Sequence, residues 1–151
     1  MSKKINEKFL KVYAEVEKVC CEKFGANEGG IEAYINRLNN ARFAPGRDEV
    51  LERLANYKNL FGSFQFDAND AKSAKNAAAY LRKSNDVTKD DIKWLEGFSK
   101  QLAKKKDPIS EYLRKARNFA RRRKARNVIV TILVIAVIAA AAYFGYTMLM
   151  V

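Results

Sequence analysis

Residues 128–151, VIVTILVIAVIAAAAYFGYTMLMV, decide how the rest of the chain is read. They hold no charged side chain. A helix of this length, rising about 1.5 Å per residue, would run roughly 36 Å and cross a hydrocarbon core of about 30 Å with some tilt. Directly before it stands Ala120-Arg121-Arg122-Arg123-Lys124-Ala125-Arg126-Asn127, the densest positive run in the sequence. Lys and Arg beside a span stay on the cytoplasmic side, the positive-inside rule. The expectation is a single-pass, tail-anchored protein with its N-terminus in the cytoplasm and essentially nothing beyond the span.

Charge divides by region. The 151 residues carry a net charge of +12, and Lys104 to Arg126 supplies 11 basic residues against Asp107 and Glu111. Residues 1–103 hold 18 basic and 15 acidic side chains, leaving only +3. A nucleic-acid-binding domain carries its excess on its own face. Here the excess sits where a membrane surface would be, so nucleic acid is a disfavoured partner and anionic lipid headgroups of the bilayer are the expected one. Arg114, Lys115, Arg117, Arg121, Arg122, Arg123, Lys124 and Arg126 are the expected lipid contacts. Met1-Ser2-Lys3-Lys4 opens an amphipathic pattern rather than an apolar run, so no signal peptide is expected. The abundance of Lys and Asn hints at an AT-rich genome and a bacterial inner membrane.

The expected fold class is all-α: a compact cytosolic bundle of five or six helices, a basic stalk and one C-terminal transmembrane helix. The expected divisions are a helical domain at 1–106, a basic juxtamembrane helix at 107–126 and an anchor at 127–151. A first helix over Ile5 to Phe24 carries Ile5, Phe9, Val12, Tyr13, Val16, Val19, Cys20 and Phe24 as one buried stripe at helical spacing, ending at Gly25. Gly29-Gly30 separates it from a second, Ile31 to Asn40. Asp48 is placed to cap a third, with Val50, Leu51, Leu54, Tyr57 and Phe61 as its stripe. The segment Phe61 to Asp70 reads as a loop whose aromatics fold back onto the core. A fourth helix over Ala71 to Lys83 has Tyr80 and Leu81 as its larger apolar groups. Thr88 and Asp91 form a capping box for a fifth, bearing Ile92, Leu95, Phe98 and Leu102. Asp107-Pro108 starts the sixth, with Asp107 at the cap, Pro108 at the first helical position, and Ile109, Tyr112, Leu113, Ala116 and Phe119 on one side. No Gly or Pro interrupts Ile109 to Phe144, so this helix is expected to run unbroken through the collar into the membrane. No sustained heptad and no internal repeat is evident.

Candidate chemistry is sparse. The chain has no histidine, which removes Ser-His-Asp and Cys-His nucleophile systems and nearly every common zinc arrangement. Cys20 and Cys21 are adjacent and cannot form an ordinary disulfide with each other. Cys20 is expected in the core and Cys21 at its edge, both reduced. Asp67-Ala-Asn69-Asp70 fails as a calcium loop because Lys72 stands where glycine is required. Asp67, Asn69 and Asp70 read instead as helix-start residues. Gly25, Gly29 and Gly30 form no phosphate fingerprint. Scattered carboxylates, Glu15, Glu17, Glu49, Glu52, Asp90 and Asp91, read as solvated faces. No catalytic residue, metal site or cofactor is expected. Within the span, Ala136 with Ala140 and Ala141 with Gly145 have the small-xxx-small spacing that lets helices approach, so a homo-oligomer through the span is open.

The reading that follows is a non-enzymatic adaptor or scaffold whose cytosolic domain binds an unidentified protein at the membrane surface. The alternatives are a small membrane-active, toxin- or holin-like protein oligomerising through its span, and a membrane tether for nucleic acid.

Overall fold

A computed structural model of the chain describes residues 2–61, 70–84 and 87–149. Those residues form helices and connections without a strand: α1 (Ser2–Phe24), α2 (Gly30–Asn40), α3 (Arg47–Leu60), α4 (Ala71–Ser84), α5 (Lys89–Ala103) and α6 (Pro108–Leu149). The chain divides into two compact units, Met1–Tyr112 and Leu113–Val151. The expected aromatics Phe64 and Phe66 lie outside the described residues, whereas Phe61 is buried.

The first unit is built around α1, which packs against α2, α4 and α5. Its stripe is the periodic one: Phe9, Val12, Tyr13, Val16 and Cys20 are buried, while Ile5, Val19 and Phe24 are only partly buried against them. Burying one such side chain stabilises by about 1.5–3 kcal/mol, so this stripe dominates the packing of the unit. The rings of Phe9 and Tyr57 meet edge to face at 5.4 Å, and Tyr13 lies 4.9 Å from Phe61, which ties α1 to α3. From α5 come Ile92, Leu95, Phe98 and Leu102, all buried at i, i+3, i+6 and i+10.

Local chemistry sets the helix boundaries. Thr88 and Asp91 close a reciprocal capping box at the start of α5. The Asp70 carboxylate accepts the Lys72 and Ser73 backbone N–H groups at the start of α4, so one of the three expected helix-start residues fills that role. At α3 the expectation fails: Gly46, with φ of 69°, is the N-cap, and Asp48 lies inside the first turn paired with Arg47. The left-handed backbone turns the chain into the helix two residues earlier than a side-chain cap would. Of the two larger apolar groups of α4, Leu81 is buried and Tyr80 is 44 % exposed. Ser73, Ala77 and Leu81, spaced by four, form the buried face of α4. Ala77 is small enough to let that backbone approach α1, where the Asn6 amide donates to the Leu81 carbonyl at 2.9 Å.

Gly30 is the tightest point in the unit. A Cβ there would lie 2.5 Å from the Glu17 carbonyl oxygen and 2.8 Å from the Cys21 sulfur, with the Cys21 backbone nitrogen closer still. Two of these atoms are helix backbone and cannot swing away. Gly30→Ala should therefore destabilise the protein by at least the ~1–3 kcal/mol of ordinary overpacking. Gly25→Ala has open space and pays mainly for its positive φ. Urea denaturation followed by circular dichroism checks the difference, Gly30→Ala having the lower midpoint.

Candidate functional site

Two carboxyl groups are buried in the first unit, and each meets the start of a helix. Glu17, in the middle of α1, accepts the Gly30 and Ile31 backbone N–H groups at 2.7 and 2.9 Å. The first N–H groups of a helix have no partner within it. Because α2 begins against α1, those donors are shut off from water, and Glu17 supplies the acceptor that Gly29, as N-cap without a side-chain bond, does not. This role was missed from the sequence, where Glu17 reads as one more charge on a lysine- and glutamate-rich helix.

Asp107 is wholly buried and stands at the start of α6, as its position before Pro108 implied. It accepts the Ser110 backbone N–H at 3.2 Å and the Ser110 hydroxyl at 2.6 Å. Lys23 Nζ donates at 2.8 Å and the Tyr34 hydroxyl at 2.8 Å. Burial alone would raise the Asp107 carboxyl, but the bonds from Lys23, Ser110 and Tyr34 outweigh it and hold the group below the ordinary range. Burial, with Asp107 adding to it, pushes the Tyr34 phenol far above its ordinary value.

A third polar group lines a shallow cleft of about 480 Å³ between α3 and α5, edged by Glu49, Glu52, Arg53, Tyr57 and Asp91. Trp94, the chain's one tryptophan, stacks on Phe98 at 5.3 Å and donates its Nε1–H to Glu49 at 3.1 Å. The Arg53 guanidinium lies over its ring at 5.4 Å. The Tyr57 hydroxyl donates to Asp91 at 3.0 Å. Asp91 is lowered: burial opposes this, but the Thr88 and Tyr57 bonds and the Arg53 charge prevail. Acid–base work by a carboxylate pair relies on one raised pKa. Asp91 and Asp107 are shifted the other way.

Cys20 is buried and Cys21 partly so, both as free thiols. Burial, reinforced by Glu17, pushes the Cys20 thiol up to about 12, far from the thiolate a nucleophile needs. On the surface, Phe43 is 89 % exposed although its loop is pinned on both sides. Ala41 and Ala44 are buried, the Ala41 N–H reaches the Arg37 and Leu38 carbonyls, and Arg47 Nε donates to the Leu38 carbonyl at 3.0 Å.

In the second unit, the expected lipid-contact residues Arg114, Lys115, Arg117, Arg121, Arg122, Arg123, Lys124 and Arg126 are all exposed on α6. Ile109 of the expected α6 stripe is buried in the first unit, while Leu113 is 43 % and Phe119 70 % exposed. The apolar part of α6 is long enough to cross a membrane; its most apolar eighteen-residue window has a mean hydropathy of 2.7 and none of it is buried. Ala136, Ala140, Ala141 and Gly145 all lie on this helix.

A model for a family of unknown function (DUF6548) matches residues 7–130, most of the chain. The chain belongs to that family. The match takes in α1 from residue 7, α2 through α5, the basic collar and the first residues of the apolar segment. No curated protein and no solved structure matches the chain significantly.

The Asp107 cluster makes an acid-sensitivity test. A carboxyl whose folded value is depressed contributes stability above its unfolded value, and that contribution is lost as pH falls through the folded one. The window here opens below the ordinary value of 3.8. Asp107→Asn should flatten this acid limb when urea midpoints are measured from neutral pH to below 3. At neutral pH Asp107→Ala should cost no more than about 3 kcal/mol, the low end for breaking a buried pair, because Lys23 is 21 % exposed and can turn to water.

Proposed function

We propose that this protein is a single-pass membrane protein whose helical N-terminal unit is a non-enzymatic protein-binding module held at the cytoplasmic face, in a bacterial inner membrane. The observation that carries the reading is the order of residues along α6: a fully exposed basic collar followed without interruption by an exposed apolar segment free of charge. In water that segment would leave Ile132, Leu133 and Ile135 about 60 % exposed. A bilayer is the environment in which such a helix is stable, since its backbone hydrogen bonds are satisfied internally.

The rise of α6 grades the collar. Counting back from Asn127, Arg121 to Arg126 lie within about 9 Å of the charge-free segment, and Arg114 about 20 Å away. A headgroup layer is only some 5–8 Å thick on each side. For an upright helix, Arg121, Arg122, Arg123, Lys124 and Arg126 are the headgroup contacts, each worth about 1 kcal/mol. Arg114, Lys115 and Arg117 stand beyond direct reach and act through a field that decays within about 8 Å.

For the protein partner, the strongest support is Phe43. An exposed aromatic on a pinned loop costs little to order on binding, and such anchors dominate interfaces. The carboxylates support a binding rather than a catalytic role, because Glu17, Asp91 and Asp107 are each engaged in capping a helix.

Removing residues 127–151 should shift the protein from the membrane pellet to the supernatant with the helicity of its first unit intact; a supernatant location for the full chain would refute the anchor. In the full chain, pulldown from the native membrane should recover a specific protein that is lost on Phe43→Ala. Collapse of the membrane potential on expression, abolished by replacing the span, would favour a membrane-active protein instead.

A further inference from the structure

The connection between α2 and α3 is two β-turns set end to end. The Ala44 N–H donates to the Ala41 carbonyl at 3.0 Å, closing the first turn over Arg42 and Phe43. The Arg47 N–H donates to the Ala44 carbonyl at 3.2 Å, closing the second over Pro45 and Gly46. Proline followed by glycine, the glycine with φ of 69°, is the chemistry of a type II turn. One carbonyl ties both ends of the loop: Leu38 accepts the Ala41 N–H at 3.2 Å and Arg47 Nε at 3.0 Å. Ala41 and Ala44 are buried on either side of the first turn, so its tip presents Arg42 and Phe43 as a pair, both exposed.

The packing of the first unit makes no use of either side chain. Among the described residues Arg42 enters no ion pair and Phe43 no ring contact. The neighbouring arginines are engaged: Arg37 lies over the Phe24 ring at 5.4 Å, and Arg47 holds Asp48 and the Leu38 carbonyl. Residues 33–47 include these three arginines and no acidic residue, so nothing in the run repels an approaching carboxylate. Asp48, the nearest acid along the chain, is the one that Arg47 holds. A charge and a ring side by side on a backbone fixed at both ends meet a surface without the cost of ordering a loop.

We propose that the Arg42–Phe43 tip is the docking element for a protein partner that offers an apolar pocket with a carboxylate on its rim. The proposal rests on the protein-binding reading above and adds the chemistry of the other side. A guanidinium pairs with a carboxylate through parallel, directional hydrogen bonds, whereas the ring has only to leave water. Because the two side chains are neighbours on one stiff turn, both demands are met together only where pocket and carboxylate stand at the matching spacing. A protein surface holds such a spacing. An anionic bilayer also accepts a ring and a cation, but it is fluid, so it rewards the number of charges and the apolar area inserted. The tip has one of each. Arginine and aromatic residues are also the types enriched at the centres of protein interfaces. A pocket rimmed by Lys or Arg is rejected by the charge of Arg42, which gives the tip selectivity as well as attraction.

The test uses the full chain in its native membrane, with a photoreactive benzoyl-phenylalanine at position 43 as the probe. Light should join position 43 to a protein, and the cross-linked segment of that protein should hold apolar residues beside an Asp or Glu. Arg42→Glu should lower the yield about tenfold or more, and Arg42→Lys should keep most of it. Changing the partner's Asp or Glu to Lys should restore the cross-link to the Arg42→Glu chain, a rescue that a folding defect could not give. A cross-link to lipid, a protein segment without a carboxylate, an unchanged yield with Arg42→Glu, or no cross-link at all overturns the proposal. Pulldown of the partner by Phe43→Ala and Arg42→Glu chains separates the two readings. A partner lost on Phe43→Ala but kept on Arg42→Glu sinks the acidic rim alone. A partner kept on both sinks the role of Phe43 in protein binding, and this proposal with it.

Discussion

A helix that begins inside a protein must find acceptors for backbone N–H groups that nothing in the helix can satisfy. That requirement organises the first unit. Both of its buried helix starts, at α2 and α6, are met by a carboxyl group, Glu17 and Asp107. Glu17 reaches across from α1, so capping α2 also sets the distance between the two helices, and only glycine fits at position 30. Asp107 gathers Lys23 from α1 and Tyr34 from α2. The same charge that starts α6 therefore holds that start against the two helices the glutamate has already joined. Among the described residues, no buried side-chain nitrogen or oxygen lacks a partner.

The second unit is built the other way round. The first unit closes by turning its apolar stripes inward. Along α6, beyond Tyr112, the apolar residues face outward on all sides, and the charges are confined to the part before Asn127. The first unit is a fold whose stability is internal, and the second is a helix whose environment has to be supplied.

Much of this was legible in the sequence because it is written in local spacing. The stripes of α1 and α5, the Thr88–Asp91 capping box, Asp107 before Pro108 and the division of charge along α6 each depend on residues a few positions apart. What was not legible depends on distant segments meeting. Glu17 resembles its solvated neighbours until α2 is laid against it. Gly30 looks like a loop residue until the backbone of α1 is found beside it. Tyr80 outranks Ala77 on size, yet the small residue faces the core because α4 approaches α1 closely. At α3 a glycine with positive φ did the work expected of Asp48. For the candidate site, the collar could be located from charge alone. Its grading by distance from the apolar segment follows only once α6 is one uninterrupted helix.

The lone indole at Trp94 gives the bundle an optical signature. Its ring stacks on Phe98 and lies against the Arg53 guanidinium and the Tyr57 ring, so it samples α3 and α5 at once. No other tryptophan competes with its emission, and the apolar segment of α6 contributes none. Ultraviolet excitation at the red edge of the absorption band thus interrogates the α3–α5 junction selectively, in detergent, vesicle or whole membrane alike.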